Sequence, residues 1–233
     1  MKWESVVLCI LLFLYFVLVV RVYQTANDNR KYNHARFIAR IGIFAAMSTI
    51  LYVVPIFKFP IPIFPSFLEF HFDEIPAFIA GFAYGPLAGF AVILIKTIIK
   101  LPMTNTLLVG ELTDLILSSV YVVTASIVYK KMRNLKGVAI GFGIATVLQV
   151  FAAMVLNVYA MIPFYSRVMG YPIEALLGMM QKAVPSITDT GWSYAFFAVL
   201  PFNLMKDGIV IVVTFLVYRS IHKMMRFDKT KPA

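Results

Sequence analysis

Residues 74–101 read EIPAFIAGFAYGPLAGFAVILIKTIIKL, and the division of this stretch decides the fold. The stretch is almost entirely apolar, and a helix needs about 20 apolar residues to cross a bilayer. Glycine and proline stand next to each other at Gly85 and Pro86, where they interrupt a helix. The stretch therefore predicts two short membrane helices, over 74–85 and 86–101, joined by a tight turn.

Further apolar stretches on both sides of this pair bring the number of predicted spans to seven. Of the 233 residues, 61% are hydrophobic and 14% are charged, whereas a soluble domain has about a quarter of its residues charged. The composition therefore predicts an all-α, polytopic membrane protein embedded in a lipid bilayer. The additional stretches cover residues 5–20, 37–57, 107–129, 137–163 and 192–218.

The stretch over 5–20 has a second interpretation, a cleaved signal peptide, because Lys2 precedes it. The residues that follow it, Arg21-Val22-Tyr23, do not form a small-x-small cleavage site, which favours an uncleaved membrane anchor. The single cysteine, Cys9, excludes a disulfide framework and a cysteine zinc site, and we expect no metal.

The basic residues, which give a net charge of +10, are concentrated in three of the segments outside the spans. Basic segments next to membrane helices are typical of the cytoplasmic side. The basic residues of this chain form no basic face interleaved with aromatic residues, so we expect no nucleic-acid partner. The pattern predicts a bacterial cytoplasmic-membrane protein with a cytoplasmic C-terminus. The three segments lie between spans one and two, between spans five and six, and after the last span.

Several charged and amide side chains fall inside the predicted spans, where a charge costs at least about 2.5 kcal/mol. Estimated depths place most of them in the outer half, where four helices could bring them to one outward-facing cavity. One alternative is that they only fix helix packing, with Lys96 paired to Glu111 and Lys206 to Asp207. The full set is Lys96, Glu111, Asp114, Asn157, Asn203, Lys206 and Asp207.

The segment 55–68, PIFKFPIPIFPSFL, combines four prolines with apolar and aromatic residues. Proline cannot continue a helix, so the segment is predicted to be stiff and extended. A loop exposed to water has no reason to be this apolar. Two interpretations follow: a lid over an apolar, planar ligand, or a segment that touches lipid.

Several segments together resemble the S component of energy-coupling-factor (ECF) vitamin transporters, most closely the riboflavin-specific type. They occur in the order found in that family. They are Leu68-Glu69-Phe70-His71-Phe72-Asp73-Glu74-Ile75-Pro76-Ala77, Tyr84-Gly85-Pro86-Leu87-Ala88-Gly89, Lys96, Val109-Gly110-Glu111-Leu112, Leu156-Asn157 and Leu200-Pro201-Phe202-Asn203-Leu204-Met205-Lys206.

The resemblance implies a six-helix core over 37–220, preceded by an additional transmembrane helix and basic linker in 1–36 and followed by a basic tail over 221–233. It also implies capture of riboflavin or a related flavin (FMN or FAD) as a transported ligand, with no cofactor. The residues it places at the ligand are Asn157, Asn203 and Lys206. We add Lys96, Glu111, Asp114, Pro65, Phe67 and Leu68, which lie in the predicted cavity or its lid.

The resemblance further implies a transmembrane coupling subunit and two ATPase subunits as partners. Gly42 and Ala46 lie where the family has its small-residue docking surface, with glycine in place of the first alanine. The chain contains no Gly-x-x-x-x-Gly-Lys-Ser/Thr motif, so ATP hydrolysis would belong to the partners.

Departures from the family pattern leave alternatives open. The family's Asp-Phe-Ser-Asp reads His71-Phe72-Asp73-Glu74 here, and Asp114 stands where the family has asparagine. An added carboxylate would suit another vitamin, such as pantothenate, pyridoxine or a thiamine precursor. Less favoured are a stand-alone secondary transporter and an intramembrane enzyme using Glu111 and Asp114, because the sequence shows no nucleophile–base constellation. We expect no enzymatic activity.

Overall fold

The computed structural model describes residue 15, residues 17–20 and residues 34–227. Residue 15 and residues 17–20 are helical, and the rest of the predicted N-terminal span and linker lies outside the described residues, as does the tail beyond residue 227. From residue 34 onward the helices are α1 (His34–Val53), α2 (Glu74–Tyr84), α3 (Pro86–Lys100), α4 (Val109–Met132), α5 (Leu135–Leu156), α6 (Ile162–Arg167), α7 (Ile173–Ala183), α8 (Trp192–Tyr194) and α9 (Leu200–Phe227).

Five helical stretches of the described chain are long and apolar enough to cross a membrane, and α2 is a shorter apolar helix. The five are Ala35–Val53, Pro86–Met103, Val109–Met132, Leu135–Arg167 and Trp192–Arg219. Together with α2 they match the six core spans predicted from the apolar stretches. The all-α membrane fold is therefore confirmed.

The turn between α2 and α3 has the form predicted from the sequence. Gly85 ends α2 with φ of 103°, a backbone conformation that residues with a Cβ atom rarely adopt. Pro86 then starts α3 at the first helical position, where its missing N–H costs nothing. The two helices pack closely, because a Cβ atom on Gly89 would lie only 3.1 Å from the carbonyl oxygen of Ala77.

Helix α2 is the buried centre of the bundle. It packs against α1, α3, α4 and α9, and most of its side chains are inaccessible to solvent. Phe78, on this helix, stacks edge-on against Tyr121 of α4 and Phe142 of α5, with ring centroids 4.7 and 4.8 Å away. At only 11 residues, α2 is too short to span a bilayer alone. Its burial by neighbours explains how so short a helix is kept in the bundle.

The proline-rich segment between α1 and α2 forms a hairpin that we call the lid (residues 58–70). Two short strands, β1 (Phe59–Pro60) and β2 (Glu69–Phe70), pair antiparallel with Phe59 opposite Phe70. The lid folds over the end of the bundle at which α4 and α8 begin, and Phe64 and Leu68 are buried there. Its other surface exposes Ile63, with 63% of the residue accessible. One face of the lid is therefore covered by the bundle and the other is open, and the two interpretations of the segment stay predictions.

Two π-helical turns interrupt the long helical stretches, at Asn157–Met161 between α5 and α6 and at Ala195–Val199 between α8 and α9. In each case a proline, Pro163 or Pro201, lies two residues after the last residue of the π turn. A proline ring clashes with the carbonyl four residues earlier, and a widened turn relieves that clash. The prolines thus explain why the helices widen where they do.

The segment 164–191, between the last two predicted spans, contains a helix that the apolar pattern did not reveal. Helix α7 begins after Pro172 and buries Leu176 and Met180 in the same cluster as lid residues Phe64 and Leu68. It therefore supports the lid from the side.

Candidate functional site

A cavity of about 280 Å³ lies between the lid and the helical bundle. Its wall combines lid residues with residues from α1, α3, α4, α5, α6 and α9, from the π turn after α5, and from the segments that follow the lid and α3. The lining residues are Tyr52, Lys58, Phe67, Leu68, Glu69, His71, Lys100, Asn105, Thr106, Gly110, Glu111, Thr113, Asp114, Leu117, Gln149, Asn157, Met161, Tyr165, Phe202, Asn203 and Lys206.

Three amide side chains line the α5 and α9 side of the cavity. Gln149 donates from Nε2 to Oδ1 of Asn203 at 3.0 Å. Asn157, the first residue of the π turn, donates to the carbonyl of Ala153 at 2.9 Å and accepts from the hydroxyl of Tyr194 at 3.1 Å. Because each amide is held by a neighbour, the group presents a fixed set of donors and acceptors to the cavity.

The lid supplies the apolar wall. Phe67 lines the cavity and lies against Tyr165 and Tyr194, with centroid distances of 6.4 and 6.0 Å. Phe64 fixes the lid by packing edge-on against Phe202 of α9 at 5.3 Å. The cavity therefore has aromatic and aliphatic groups on one side and amides on the other.

Two buried lysines are tied to carboxylates near the cavity. Lys96 of α3 is fully buried, donates to Asp73, and lies 2.9 Å from Asp114 of α4. Lys206 of α9 donates to Glu74 of α2 at 2.7 Å. These pairs connect four helices, so the buried charges do fix packing.

These lysines were expected to pair with other carboxylates, in the alternative that the charged residues only fix helix packing. The pairs Lys96–Glu111 and Lys206–Asp207 were wrong. Glu111 instead accepts from the hydroxyls of Thr104 and Thr106 at 2.7 and 2.9 Å. Asp207 is buried, and its carboxylate has no hydrogen-bond partner among the described residues. Asp207 follows Lys206 directly, and adjacent residues on a helix point in different directions.

His71 connects the lid to the ion-pair network that these lysines form with Asp73, Glu74 and Asp114. Its Nδ1 bonds to Asp73, and its Nε2 lies 3.8 Å from an oxygen of Asp114. Burial, followed by the positive charge of Lys206, lowers the pKa of His71 to about 3. The imidazole is therefore neutral at neutral pH.

His71, Asp73 and Glu74 have ligand atoms within 4.8 Å of one another, close enough to share a metal ion. The ammonium groups of Lys96 and Lys206 already bond to Asp73 and Glu74. We therefore treat the cluster as part of the ion-pair network and assign it no metal.

The structure brings most of the predicted site residues to the cavity. Lys96 and Pro65 do not line it, since Lys96 lies within the ion-pair network and Pro65 is buried in the lid. Sequence reasoning missed Gln149 and Lys100, although a polar residue inside or at the end of an apolar stretch is a detectable signal. The predicted residues that do line the cavity are Asn157, Asn203, Lys206, Glu111, Asp114, Phe67 and Leu68.

The two predicted docking residues lie away from the cavity. Gly42 and Ala46 are exposed on one face of α1, and a Cβ atom on Gly42 would meet nothing within 4 Å. Their face of α1 thus has space for a closely approaching helix.

Two known transporters are similar to this chain in sequence. The chain is 26% identical to the riboflavin transporter RibU of Staphylococcus aureus (strain TCH60), over 86% of this chain and 98% of that protein. It is 28% identical to the riboflavin transporter FmnP of Bacillus subtilis (strain 168), over 76% of this chain and 88% of that one.

The fold is similar to that of a solved S component of a bacterial ECF transporter, with a TM-score of 0.65 and 24% identity, covering 83% of this chain and 99% of that one. The family model described as "ECF transporter, substrate-specific component" matches residues 36–218, most of the chain. This chain therefore belongs to the family of ECF transporter substrate-specific (S) components.

Proposed function

We propose that this chain captures riboflavin or a closely related flavin for an ECF-type importer. The observation that carries the proposal is the cavity, which has an aromatic lid on one side and fixed amides on the other. A flavin has a planar apolar ring system whose edge carries hydrogen-bonding groups. Such a ligand fits a site with apolar walls and few placed polar groups. The names of the two relatives support the same ligand class.

In this proposal Phe67 and Leu68 cover the ring system, while Asn157 and Asn203 bond to its polar edge. Gln149 joins the amides that were expected from the sequence, because it is hydrogen-bonded to Asn203. Lys206 lines the cavity next to them, and its ammonium group pairs with the carboxylate of Glu74. Glu111 and Asp114 line the α4 side.

We assign Lys96 and Pro65 supporting roles. Lys96 links α3 to Asp73 and Asp114 and so holds His71, at the end of the lid, near the cavity. The carbonyl of Pro65 accepts from the amide of Leu68 at 2.9 Å and fixes a turn of the lid.

The proposal places the lid on the outer side of the membrane and the C-terminus in the cytoplasm. Helix α4 runs from the cavity end to Lys130 and Lys131, and α9 runs from the cavity end to Arg219. Basic residues thus collect at the end of the bundle opposite the lid, as the positive-inside rule requires of a cytoplasmic surface.

The proposal includes a transmembrane coupling subunit and two ATPase subunits as partners, since the chain has no ATP-binding motif of its own. Gly42 and Ala46 on the open face of α1 support docking of another helix there. The additional N-terminal helix over 1–36 and the tail over 221–233 remain sequence predictions.

Purified protein tests the ligand directly. We expect protein from cells grown with riboflavin to be yellow, and flavin fluorescence to be quenched on titration of ligand-free protein. Pantothenate, pyridoxine and a thiamine precursor should not compete. Colourless protein that leaves flavin fluorescence unchanged contradicts the proposal, and competition by one of the other vitamins would replace the ligand while leaving the family role intact.

A further inference from the structure

Lys100 is the last residue of α3 and lines the cavity, although only 8% of it is exposed. The C-terminus of a helix carries partial negative charge, which favours a cation at this position. A buried ammonium group nevertheless needs hydrogen-bond acceptors to replace the water it has lost. The surroundings of Lys100 therefore indicate whether the protein itself supplies these acceptors.

The other lysines that line the cavity or lie near it already have partners. Lys58 pairs with Glu69 at 2.5 Å and Lys206 pairs with Glu74 at 2.7 Å, while Lys96 is held by two carboxylates. Within residues 34–219, the side chain of Lys100 has no hydrogen bond and no ion pair. Its one described electrostatic contact is with the ring of Tyr52, whose centroid lies 5.9 Å from Nζ, near the limit of a cation–π interaction.

The carboxylates that line the cavity are similarly occupied. Glu69 pairs with Lys58, and Asp114 pairs with Lys96. One oxygen of Glu111 already accepts from two threonine hydroxyls. Lys100 is thus the cation of the described cavity wall whose charge no described carboxylate balances, and the cavity that it lines has room for a ligand group that accepts hydrogen bonds.

The position of Lys100 relative to the amides indicates which part of a ligand it meets. Gln149 and Asn203 belong to α5 and α9, whereas Lys100 belongs to α3 and lies near Tyr52 at the end of α1. The tail of a flavin leaves N10, across the central ring from N5, so a ring whose N5 and O4 edge bonds to the amides would direct its tail toward the opposite wall, to which α3 contributes Lys100. An ammonium group donates three hydrogen bonds and accepts none, so it suits a substituent rich in oxygen.

We infer that Lys100 binds the hydroxyl-bearing tail of the ligand and makes the site selective for flavins that carry this tail. The inference rests on the proposed flavin ligand and adds to it a specificity-determining residue and an orientation. In riboflavin the tail is the ribityl chain, and lumiflavin has the same ring system with a methyl group in its place. The two compounds therefore separate ring binding from tail binding.

The test combines this pair of ligands with Lys100→Met, which keeps an unbranched side chain of similar length and removes the charge. We expect riboflavin to bind the variant about tenfold or more weakly than it binds the unmodified protein, the loss of one or two charge-assisted hydrogen bonds. Lumiflavin should bind both proteins with dissociation constants within about twofold of each other. Titrations of flavin fluorescence at fixed salt measure all four constants.

Lys182→Met is the matched control, because Lys182 is exposed on α7 and does not line the cavity. It should leave both ligands unaffected. Normal lumiflavin binding by Lys100→Met shows that the variant is folded. Equal weakening of the two ligands, or no change in either, overturns the inference while the flavin proposal stands. Failure of the unmodified protein to bind either flavin removes the proposed function and this inference together.

Discussion

Lys206 Nζ lies 2.7 Å from Oε1 of Glu74, a pair that joins the last helix to the first residue of α2 across 132 positions of sequence. Both side chains are nearly inaccessible to solvent. Lys206 also lines the cavity, so this pair connects the candidate binding wall to the buried central helix. The same bond therefore contributes to stability and to the shape of the site.

Glu74→Gln is expected to destabilise the folded protein by about 3 kcal/mol, because it removes the hydrogen-bonded counter-charge of the buried Lys206 ammonium group. The melting temperature in detergent, measured without ligand, should fall by several degrees. Glu69→Gln is the matched control. Its partner Lys58 forms a pair in which both side chains are partly exposed, 21% and 42%, so its loss should cost less than about 1 kcal/mol. Equal losses in the two variants would contradict a stabilising role specific to the buried pair.

The sequence predicted the features that depend on local composition and missed those that depend on contacts between helices. Six core helices were recognisable, because length and apolarity are local properties of each stretch. The partners of Lys96 and Lys206 were not, since Asp73 precedes the predicted span over 74–85 and Glu74 is its first residue, where an acidic side chain is ordinary at the start of a helix. The expectation that the chain is a transporter component and not an enzyme is confirmed by its family.

The two π turns could not be predicted from the periodicity of the sequence. Asn157 was recognised as a polar residue within a span, but its orientation depends on a widened turn that an ideal helical repeat does not include. Pro163 and Pro201 were the available signals. Lys100 was missed for a different reason, because a lysine at the end of a span ordinarily extends to the membrane surface.

Tyr194→Phe tests whether a hydrogen bond from a neighbouring side chain holds an amide of the cavity wall in place. The variant removes the hydrogen bond to Oδ1 of Asn157 and leaves the ring contact with Phe67 in place. We expect flavin affinity to fall about fivefold, the value of one neutral hydrogen bond. Titration of flavin fluorescence measures the change.

Tyr121→Phe is its control, because the Tyr121 hydroxyl donates to the carbonyl of Asp207 at 3.3 Å and Tyr121 does not line the cavity. This variant should alter stability and leave affinity unchanged. A loss of affinity in both variants would indicate that the tyrosine hydroxyls act through the stability of the bundle.

Phe64→Ala is expected to speed ligand release. Phe64 fixes the lid to Phe202, and removal of a buried phenylalanine side chain costs about 3 kcal/mol or more. The lid should then open more often, so the dissociation rate of bound flavin, followed by stopped-flow fluorescence, should rise about tenfold or more. Ile63→Ala, on the exposed face of the same lid, should leave the rate unchanged. Similar rates in all three proteins would show that release does not require lid opening.

His71 makes stability depend on pH. Its pKa is about 3 in the folded protein and about 6.5 when unfolded, so between these values the unfolded chain binds the extra proton. Stability should therefore be fully present above pH 6.5 and decrease as the pH falls, with about 2 kcal/mol lost by pH 5. The groups that face the imidazole are Tyr52, Asp73, Glu74, Lys96, Asp114 and Lys206.

His71→Gln removes the titrating group and keeps a hydrogen-bonding side chain. Melting temperatures of the two proteins, measured from pH 7.5 to pH 5, should diverge in slope, with the variant losing less stability on acidification. Parallel curves would show that the carboxylates, and not His71, set the acid sensitivity.

Gly42→Leu tests the open face of α1 as a docking surface. A Cβ atom at this position meets nothing within 4 Å, and a leucine side chain there would hold a neighbouring helix away, whereas small residues allow close approach of helices in lipid. We expect flavin binding to be unchanged, while copurification with the coupling subunit and flavin uptake fall about tenfold or more, the effect of at least 1.4 kcal/mol at the interface. Gly143→Leu is the matched control, since Gly143 is an exposed glycine of α5 with equally open space around it. If the two variants impair uptake equally, the defect comes from a larger side chain on any lipid-facing helix, and the face of α1 that carries Gly42 and Ala46 has no special role in assembly.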